Sequence, residues 1–586
     1  MSAGSRWRNL PLLELGGILN ATIPWNFLQG DRKYLASLAL LVVYLIASFW
    51  ESQVTKIVNE PYLDEVFHIP QAQAYCRAQY QVWDPKLTTP PGLYAFSVLF
   101  LKIFRGVCDV GSLRLFNVFA LLSLTVYTLE IRSFLTAPSF VLRSRKLSTI
   151  STESIHTALN IALFPPLFFF SGLYYTDVLS TRFVLLCYRL FLDRKGVHNN
   201  SGKGLYMNYF VGILALTMRQ TNIFWVAIFL GESEVMRAVK ANVAPAPMSE
   251  SGASTPDDTA FQNYKRWARG AIHDVVLEDA SPLDFILMPM SLIVAILHQP
   301  VLVISRLWPY IALLVSFAAF VFYNGGVVLG DKSSHVATIH LPQLLYLSPF
   351  ILFFSAPLVL PMLLTHVLQT IKTLTSPFTP KPTTSITSPI ANNANPSIRH
   401  LLTIANFLII QLALLATIAI IHFNTIIHPF TLADNRHYVF YVFRYSILRA
   451  PWIRYALGPV YLTCAYAVYI SLVPTPGPRA TTSPILQTIS TKPPSTSSPP
   501  KNRVSTVIML LIPTILSLVT APLVEPRYFI IPWVMYRLHL PQGQGGMWLW
   551  LETLWFLAIN AVTGYIFLYL SFEWGQEPGR VQRFMW

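Results

Sequence analysis

Long apolar runs recur along this chain, beginning with YLASLALLVVYLIASFW from Tyr34, and Lys and Arg gather in the short stretches between them. Lipid gives a backbone no hydrogen-bond partner, so a segment that crosses it must be a helix that satisfies its own amides. Barrel strands would show short alternating segments instead, and the sequence has none. Of the 586 residues, 53% are hydrophobic and only 12% charged. Soluble domains carry roughly 25% charged residues. The expectation is an all-α polytopic membrane protein.

The net charge of +15 does not point to nucleic acid. The basic residues lie between hydrophobic runs, where they orient a membrane protein. Of the four cysteines, Cys187 and Cys464 fall inside apolar runs and read as core. Cys76 and Cys108 flank one loop. They can pair if that loop faces an oxidising lumen, although two free thiols are the plainer reading. No CxxC or HExxH pattern suggests a zinc site. No cleaved signal peptide is legible, so the first span would serve for targeting.

A window-type reading gives about twelve spans, within about 10–14. They fall near 34–50, 112–134, 155–172, 176–193, 204–218, 221–233, 306–325, 342–368, 400–424, 451–473, 504–523 and 548–572. The pair around Arg219 reads as two bent helices or one broken one. Arg32 and Lys33 before the first span place the N-terminus in the cytosol, and the basic residues after later spans alternate consistently with that. Pro90–Phe104 is apolar but short of the roughly 20 residues a span needs, so it reads as an interfacial helix. It lies in the first non-cytosolic loop, 51–111. The segments 234–290, 375–398 and 474–502 read as cytosolic and largely disordered. Ser, Thr and Pro dominate their middle stretches, and such composition cannot bury a core.

Polar islands lie between the runs. The first reads EPYLDEVFHIPQAQAYC from Glu60, then WDPKLTTPPGLY from Trp83. Asp64 and His68 share a face if helical, while Asp64 and Glu65 diverge by about 100°. Only one of the two carboxylates is then expected to face a cleft. A buried carboxylate beside a His can act as general base toward a hydroxyl. The competing reading is that these acids cap helices or pair with interfacial cations. A second island, YNGGVVLGDKSSHVATIHLPQ from Tyr323, holds Asp331, Lys332 and His335, with glycines that allow close backbone approach. A flexible hairpin is its competing reading. Further islands hold Asp434, Arg436, His437 and Tyr438; Glu525 and Arg527; Asp177 and Arg182; and Arg219. For Asp177 an ion pair bracing helices is preferred. Arg436 and Arg527 suit a lipid phosphate, because Arg is a permanent, forked cation. On the expected topology most of these islands reach one membrane face.

PYLDEVFHIPQAQAYC, WDPKLTTPPGLY, FFFSGLYYTD, RQTNIFW, NGGVVLGDKSSH, LADNRHYVFYVFR and EPRYFIIPW, in this order, resemble the endoplasmic-reticulum alpha-1,2-glucosyltransferases that complete the lipid-linked precursor of N-glycans. The resemblance covers nearly the whole chain outside the Ser/Thr/Pro loops. It implies a GT-C fold in the endoplasmic-reticulum membrane with its site facing the lumen. It implies dolichyl-phosphate glucose as donor and a diglucosylated dolichyl-diphosphate oligosaccharide as acceptor. Transfer of the terminal glucose would proceed with inversion and without a cofactor or required metal. In such enzymes the first luminal loop supplies an acidic base, and Asp64 and Glu65 occupy that position. Arg436, Arg527, Lys332 and His335 are the candidates for donor phosphate. His68, Trp83, Tyr62, Asp331, Asp434 and Tyr438 are the candidates for acceptor or sugar. Lipid tails would lie between spans. The rivals are a dolichyl-phosphate-mannose enzyme of the same fold, a transporter, which should show internal repeats, and a membrane scaffold.

Overall fold

The computed structural model describes residues 31–137, 150–194, 202–243, 256–330, 332, 338–375, 396–427, 429–473, 501–521, 523–543 and 545–586. It is an all-α assembly, with one small antiparallel pairing of Phe572–Glu573 with Val581–Gln582.

Five helices are long and apolar enough to cross a bilayer: Arg32–Ile57, Val110–Thr136, Pro300–Asn324, Phe407–Asn424 and Gly546–Tyr569. Two bent pairs raise the number to seven if each is one span. Five to seven such helices among the described residues is fewer than the about twelve expected from a window reading. The difference has two sources. Some apolar helices are short, such as Gly204–Leu216 and Val504–Val519. Others, such as Thr176–Asp193, carry Asp177, Arg182 and Arg189.

Local sequence sets the helix ends. Asp109 caps Val110–Thr136, its carboxylate accepting from the Ser112 amide at 2.7 Å. Ser151 caps Thr152–Leu163 by accepting from the Ser154 amide at 3.0 Å. Pro165 and Pro166 cannot continue that helix, and the chain bends by 64° at Phe164. A second bend of 95° falls at Ser355, two residues before Pro357. One fully buried side chain joins the two breaks. Trp533 stacks on Phe164 at 3.8 Å between ring centroids and donates to the Ser355 hydroxyl at 3.1 Å.

The 204–233 region, which the sequence left as two bent helices or one broken one, is interrupted around Arg219. Gly202–Leu216 ends, Gln220–Asn222 makes a 3-10 turn, and a π-helical stretch, Phe224–Phe229, leads into Leu230–Ala241. Arg219 sits extended at this interruption. Gly92–Ile103, in the first loop, is a short apolar helix, and the Gly92 amide donates to the Thr217 carbonyl at 2.9 Å.

The cores of the segments expected to be disordered lie outside the described residues. Their edges do not follow that expectation. Residues 256–290 hold helix Pro256–Ala268 and the start of Asp284–His298. Asp274 fixes this region by accepting from the Ser505 amide at 3.0 Å and pairing with Lys240.

The cysteine expectation is also corrected. Cys76 and Cys108 form a disulfide, with Cα atoms 6.5 Å apart. It ties the end of helix Glu65–Cys76 to the segment that enters Val110–Thr136.

Candidate functional site

The first loop turns sharply before its helix. Leu63 has φ +52°, a left-handed conformation that an L side chain adopts at a cost of about 1–2 kcal/mol. The turn is held from several sides. The Tyr62 amide donates to Glu65 at 3.1 Å, and the Asp64 amide donates to the Tyr175 hydroxyl at 3.2 Å. Strain maintained by surrounding bonds is common at functional sites.

This turn sends the two adjacent carboxylates to different places. Glu65 is fully buried. Arg114 grips it with two bonds, of 2.9 and 2.6 Å, and the Tyr174 amide donates to it at 2.6 Å. Arg114 in turn donates to the Val58 and Glu60 carbonyls at 2.6 and 3.1 Å. Glu65 thus anchors the loop to Val110–Thr136. No valence of its carboxylate is left for a substrate.

Asp64 points into a recess lined by protein on most sides, yet 41% of its side chain is reached by water. Its ion-pair partner is Arg527, at 2.7 Å, and Arg527 also holds Glu525 at 2.5 Å. Burial alone would raise the Asp64 carboxyl. The Arg527 guanidinium, with smaller help from His68, overrides it and holds the carboxyl down at about 2. His68 lies one turn along the helix and bonds through Nδ1 to the Tyr94 hydroxyl at 2.7 Å. Burial pushes the His68 imidazole down to about 4, so it is neutral near pH 7.

The other islands close around this pair. Asp177 and Arg219 make an ion pair at 2.9 Å, the bracing role expected for Asp177. Arg436 forks onto Asp434 at 2.8 and 2.6 Å, lies 4.6 Å over the Trp574 ring, and donates to Gln582 at 3.1 Å. His437 stands 3.7 Å from Asp434. Asp434 is therefore the counter-ion of Arg436, and both lie in a second charged group beside the first.

Several expected sugar contacts have other positions. Tyr62 is buried, and its hydroxyl both accepts from the Arg583 amide at 2.7 Å and donates to the Arg583 carbonyl at 2.8 Å. Burial pushes that phenol up to about 12, so it keeps its proton. Tyr62 pins the loop rather than stacking on a ligand. Trp83 meets Tyr94 edge-on at 6.0 Å. Tyr438 lines an apolar cavity. Lys332 is not in the cluster: its ammonium bonds to the Asn324 carbonyl at the end of the preceding Pro300–Asn324 helix. That helix end packs on the first loop, where a side chain at Gly330 would collide with the Pro85 and Leu87 carbonyls. Asp331 and His335 lie outside the described residues.

The cavity measures about 720 Å³. Val524, Pro526 and Phe529, which flank Arg527 in sequence, form part of its wall; Phe350, Phe354, Trp555, Ile559 and Trp586 form much of the rest. The water-reached Asp64 carboxylate, through its Arg527 partner, and the apolar cavity thus meet at the 524–529 segment. Such a site can hold an anion attached to a hydrocarbon and take a proton from a hydroxyl.

Arg114 and Trp586 escaped the sequence reading. Arg114 had a signal: an Arg inside the apolar run VGSLRLFNVFALL must have a partner. Trp586 had none.

A family model described as the DIE2/ALG10 family matches residues 58–538. A Gibberella zeae protein named Dol-P-Glc:Glc(2)Man(9)GlcNAc(2)-PP-Dol alpha-1,2-glucosyltransferase is 38% identical, with 96% of this chain and 94% of the relative aligned. A Homo sapiens protein of the same name is 30% identical, with 94% of this chain and 99% of the relative aligned. No solved structure matches the chain.

Proposed function

The chain belongs to the DIE2/ALG10 family, and from that premise we propose that it transfers glucose in alpha-1,2 linkage from dolichyl-phosphate glucose to the diglucosylated dolichyl-diphosphate oligosaccharide, as its relatives are named for doing. The observation that carries the reading is the Asp64–Arg527 pair at 2.7 Å beside the apolar cavity. The pair offers a base and a phosphate ligand, and the cavity offers space for a polyprenyl tail.

The reaction is a single displacement with inversion. The acceptor hydroxyl forms a bond to the anomeric carbon, and the bond from that carbon to the phosphate oxygen breaks. Asp64 takes the hydroxyl proton, and dolichyl phosphate leaves with the electron pair. Arg527 stabilises the charge that develops on the phosphate, with Arg436 as the second cation. In the resting site Arg527 holds Asp64 ionised and weakly basic. When Arg527 turns to the donor phosphate, Asp64 loses its strongest partner and becomes a better base. Base strength therefore follows donor binding. Glu65 is the scaffold of the turn rather than an alternative base.

The chain is a multi-pass membrane protein of the endoplasmic reticulum, with a GT-C architecture of about twelve spans once the short and interrupted helices are counted. Its first loop, 51–111, faces the lumen as the catalytic loop. The Cys76–Cys108 disulfide supports an oxidising side for that loop.

Purified protein in detergent, given dolichyl-phosphate glucose and the diglucosylated acceptor, is expected to add one glucose. No transfer from the glucose donor, or equal transfer from dolichyl-phosphate mannose, would refute the reading.

A further inference from the structure

The segment after the Gly546–Tyr569 helix returns to the site and is held there along its length. The Arg583 guanidinium donates to the Phe567 and Leu568 carbonyls at 2.9 and 2.7 Å, which satisfies a helix end that lacks partners of its own. The Arg583 backbone exchanges two bonds with the Tyr62 hydroxyl, two residues before Asp64. Met585 pairs with the next loop: its amide donates to the Arg436 carbonyl at 2.8 Å, and its carbonyl accepts from the Tyr438 amide at 3.1 Å. The Trp586 carbonyl stands 3.1 Å from His437 Nδ1. The strand is thus clamped between the loop that carries Asp64 and the loop that carries Arg436.

That clamp sets the Trp586 ring. It meets Tyr438 at 5.0 Å and Phe354 at 5.8 Å, both edge-on, and forms part of the wall of the apolar cavity. Its backbone touches the charged group while its indole borders the hydrocarbon space. Two buried donors lie together on this wall without an acceptor among the described residues: Trp586 Nε1 and the Tyr438 hydroxyl. An unpaired buried donor is costly, and a ligand oxygen at the head of a lipid would satisfy it.

We propose that Trp586 is a donor-positioning residue, its ring packing on the first isoprene units of the donor lipid and its N–H turned to the adjoining phosphate. The proposal rests on the reading of the cavity as the donor-tail site. It assigns Trp586 to the donor alone. The acceptor attacks from the Asp64 side, so removal of the indole affects one substrate and not the other.

The full chain is purified in detergent as wild type, W586A and W586F, and the KM of each substrate is measured with the other saturating. W586A is expected to raise the donor KM about tenfold, equivalent to about 1.4 kcal/mol, with the acceptor KM within about twofold. W586F, which keeps a ring and loses the N–H, is expected to recover part of that loss. A donor KM that does not move, or two KM values that rise together, overturns the proposal. If W586A is not monodisperse, W586L is judged by the same criteria.

A dolichyl-phosphate analogue with a photoreactive group near its phosphate tests the parent reading separately. Wild-type crosslinks outside the cavity wall would remove the cavity assignment. Crosslinks on the wall with an unchanged W586A donor KM would remove only the role of Trp586.

Discussion

Amide substitution of two adjacent residues should separate the chemistry from the scaffold. Asp64→Asn removes a carboxylate whose main partner is Arg527 at 2.7 Å. The pair holds the Asp64 carboxyl near 2 against an ordinary 3.8, equivalent to roughly 2.5 kcal/mol at most. Water reaches 41% of the side chain, and screening leaves about 1 kcal/mol of that. Arg527 also keeps Glu525 as a partner. The substituted protein should therefore fold and melt within about 1 °C of wild type. Loss of a general base costs about 10²–10⁴-fold in rate, so glucose transfer should fall by that factor.

Glu65→Gln should behave in the opposite way. The amide leaves Arg114 buried without a counter-charge, and its NH2 must face groups that are themselves donors: Arg114 and the Tyr174 and Tyr62 amides. Breaking a buried pair of this kind costs about 3–5 kcal/mol. At about 2 cal/mol/K per residue of unfolding entropy, that lowers the melting temperature by about 3 °C. The protein that remains folded should retain more activity than Asp64→Asn. The assays are transfer of labelled glucose and thermal melting in the same detergent. An Asp64→Asn protein with wild-type turnover, or a Glu65→Gln protein as stable as wild type, would refute the division of roles.

Other outcomes follow from the same geometry. Arg527→Lys keeps a charge but cannot hold Asp64 and Glu525 together, so kcat/KM for the donor should fall about 10²-fold in steady-state kinetics. In the free enzyme Asp64 stays ionised well below neutrality, so kcat/KM should be flat between about pH 5 and 7, with any acid limb lower; a limb near pH 6 would contradict this. The folded His68 is pushed below its unfolded value of 6.5 to about 4, so its contribution to stability is complete above pH 6.5 and lost as pH falls through 4. Melting curves should fall across that window and flatten in His68→Gln. Cys76→Ser should cost about 3–4 kcal/mol, the loop-closure value for a crosslink of 32 residues, measured as a lower melting temperature.

Much of this site was legible in the sequence, because permanent charges beside apolar runs must have a purpose. Asp64, Arg527, Arg436, Asp177 and Arg219 were singled out, and they lie in or beside one cluster, although the pairing of Asp177 with Arg219 rather than Arg182 came only from the structure. Less legible were the contacts made by aromatic residues. Tyr62, Trp83 and Tyr438 are as suited to stacking on a sugar as to packing on protein, and only tertiary position separates the two uses. Tyr62 packs on a strand more than 500 residues away, a pairing that no local pattern encodes. Lys332 failed for a related reason: its charge is used within its own hairpin, on the Asn324 carbonyl. The helices long and apolar enough to span are fewer than the hydropathy reading counted, because prolines and charges interrupt segments that a window reads as continuous.

The choice between Asp64 and Glu65 shows why sequence alone leaves such a question open. Helical geometry says that neighbours diverge by about 100°, but it does not say which one faces the cleft. That depends on Arg114, from another helix, and on the left-handed Leu63 before the pair. Glu65 is drawn inward because its longer side chain reaches back to the Tyr62 amide while it meets Arg114. Asp64, shorter and at the N-cap position, makes no capping bond with its side chain. An N-cap Asp normally spends its carboxylate on its own helix. Here Asp64 is itself helical in conformation and the Val66 and Phe67 amides already donate to the Leu63 and Asp64 carbonyls, so the Asp64 side chain stays free for Arg527. Leu63→Gly, which relieves the left-handed turn, should leave the fold intact but loosen the aim of Asp64. It should then lower kcat more than it changes the melting temperature. A variant with wild-type kcat would show that the strained turn is incidental to catalysis.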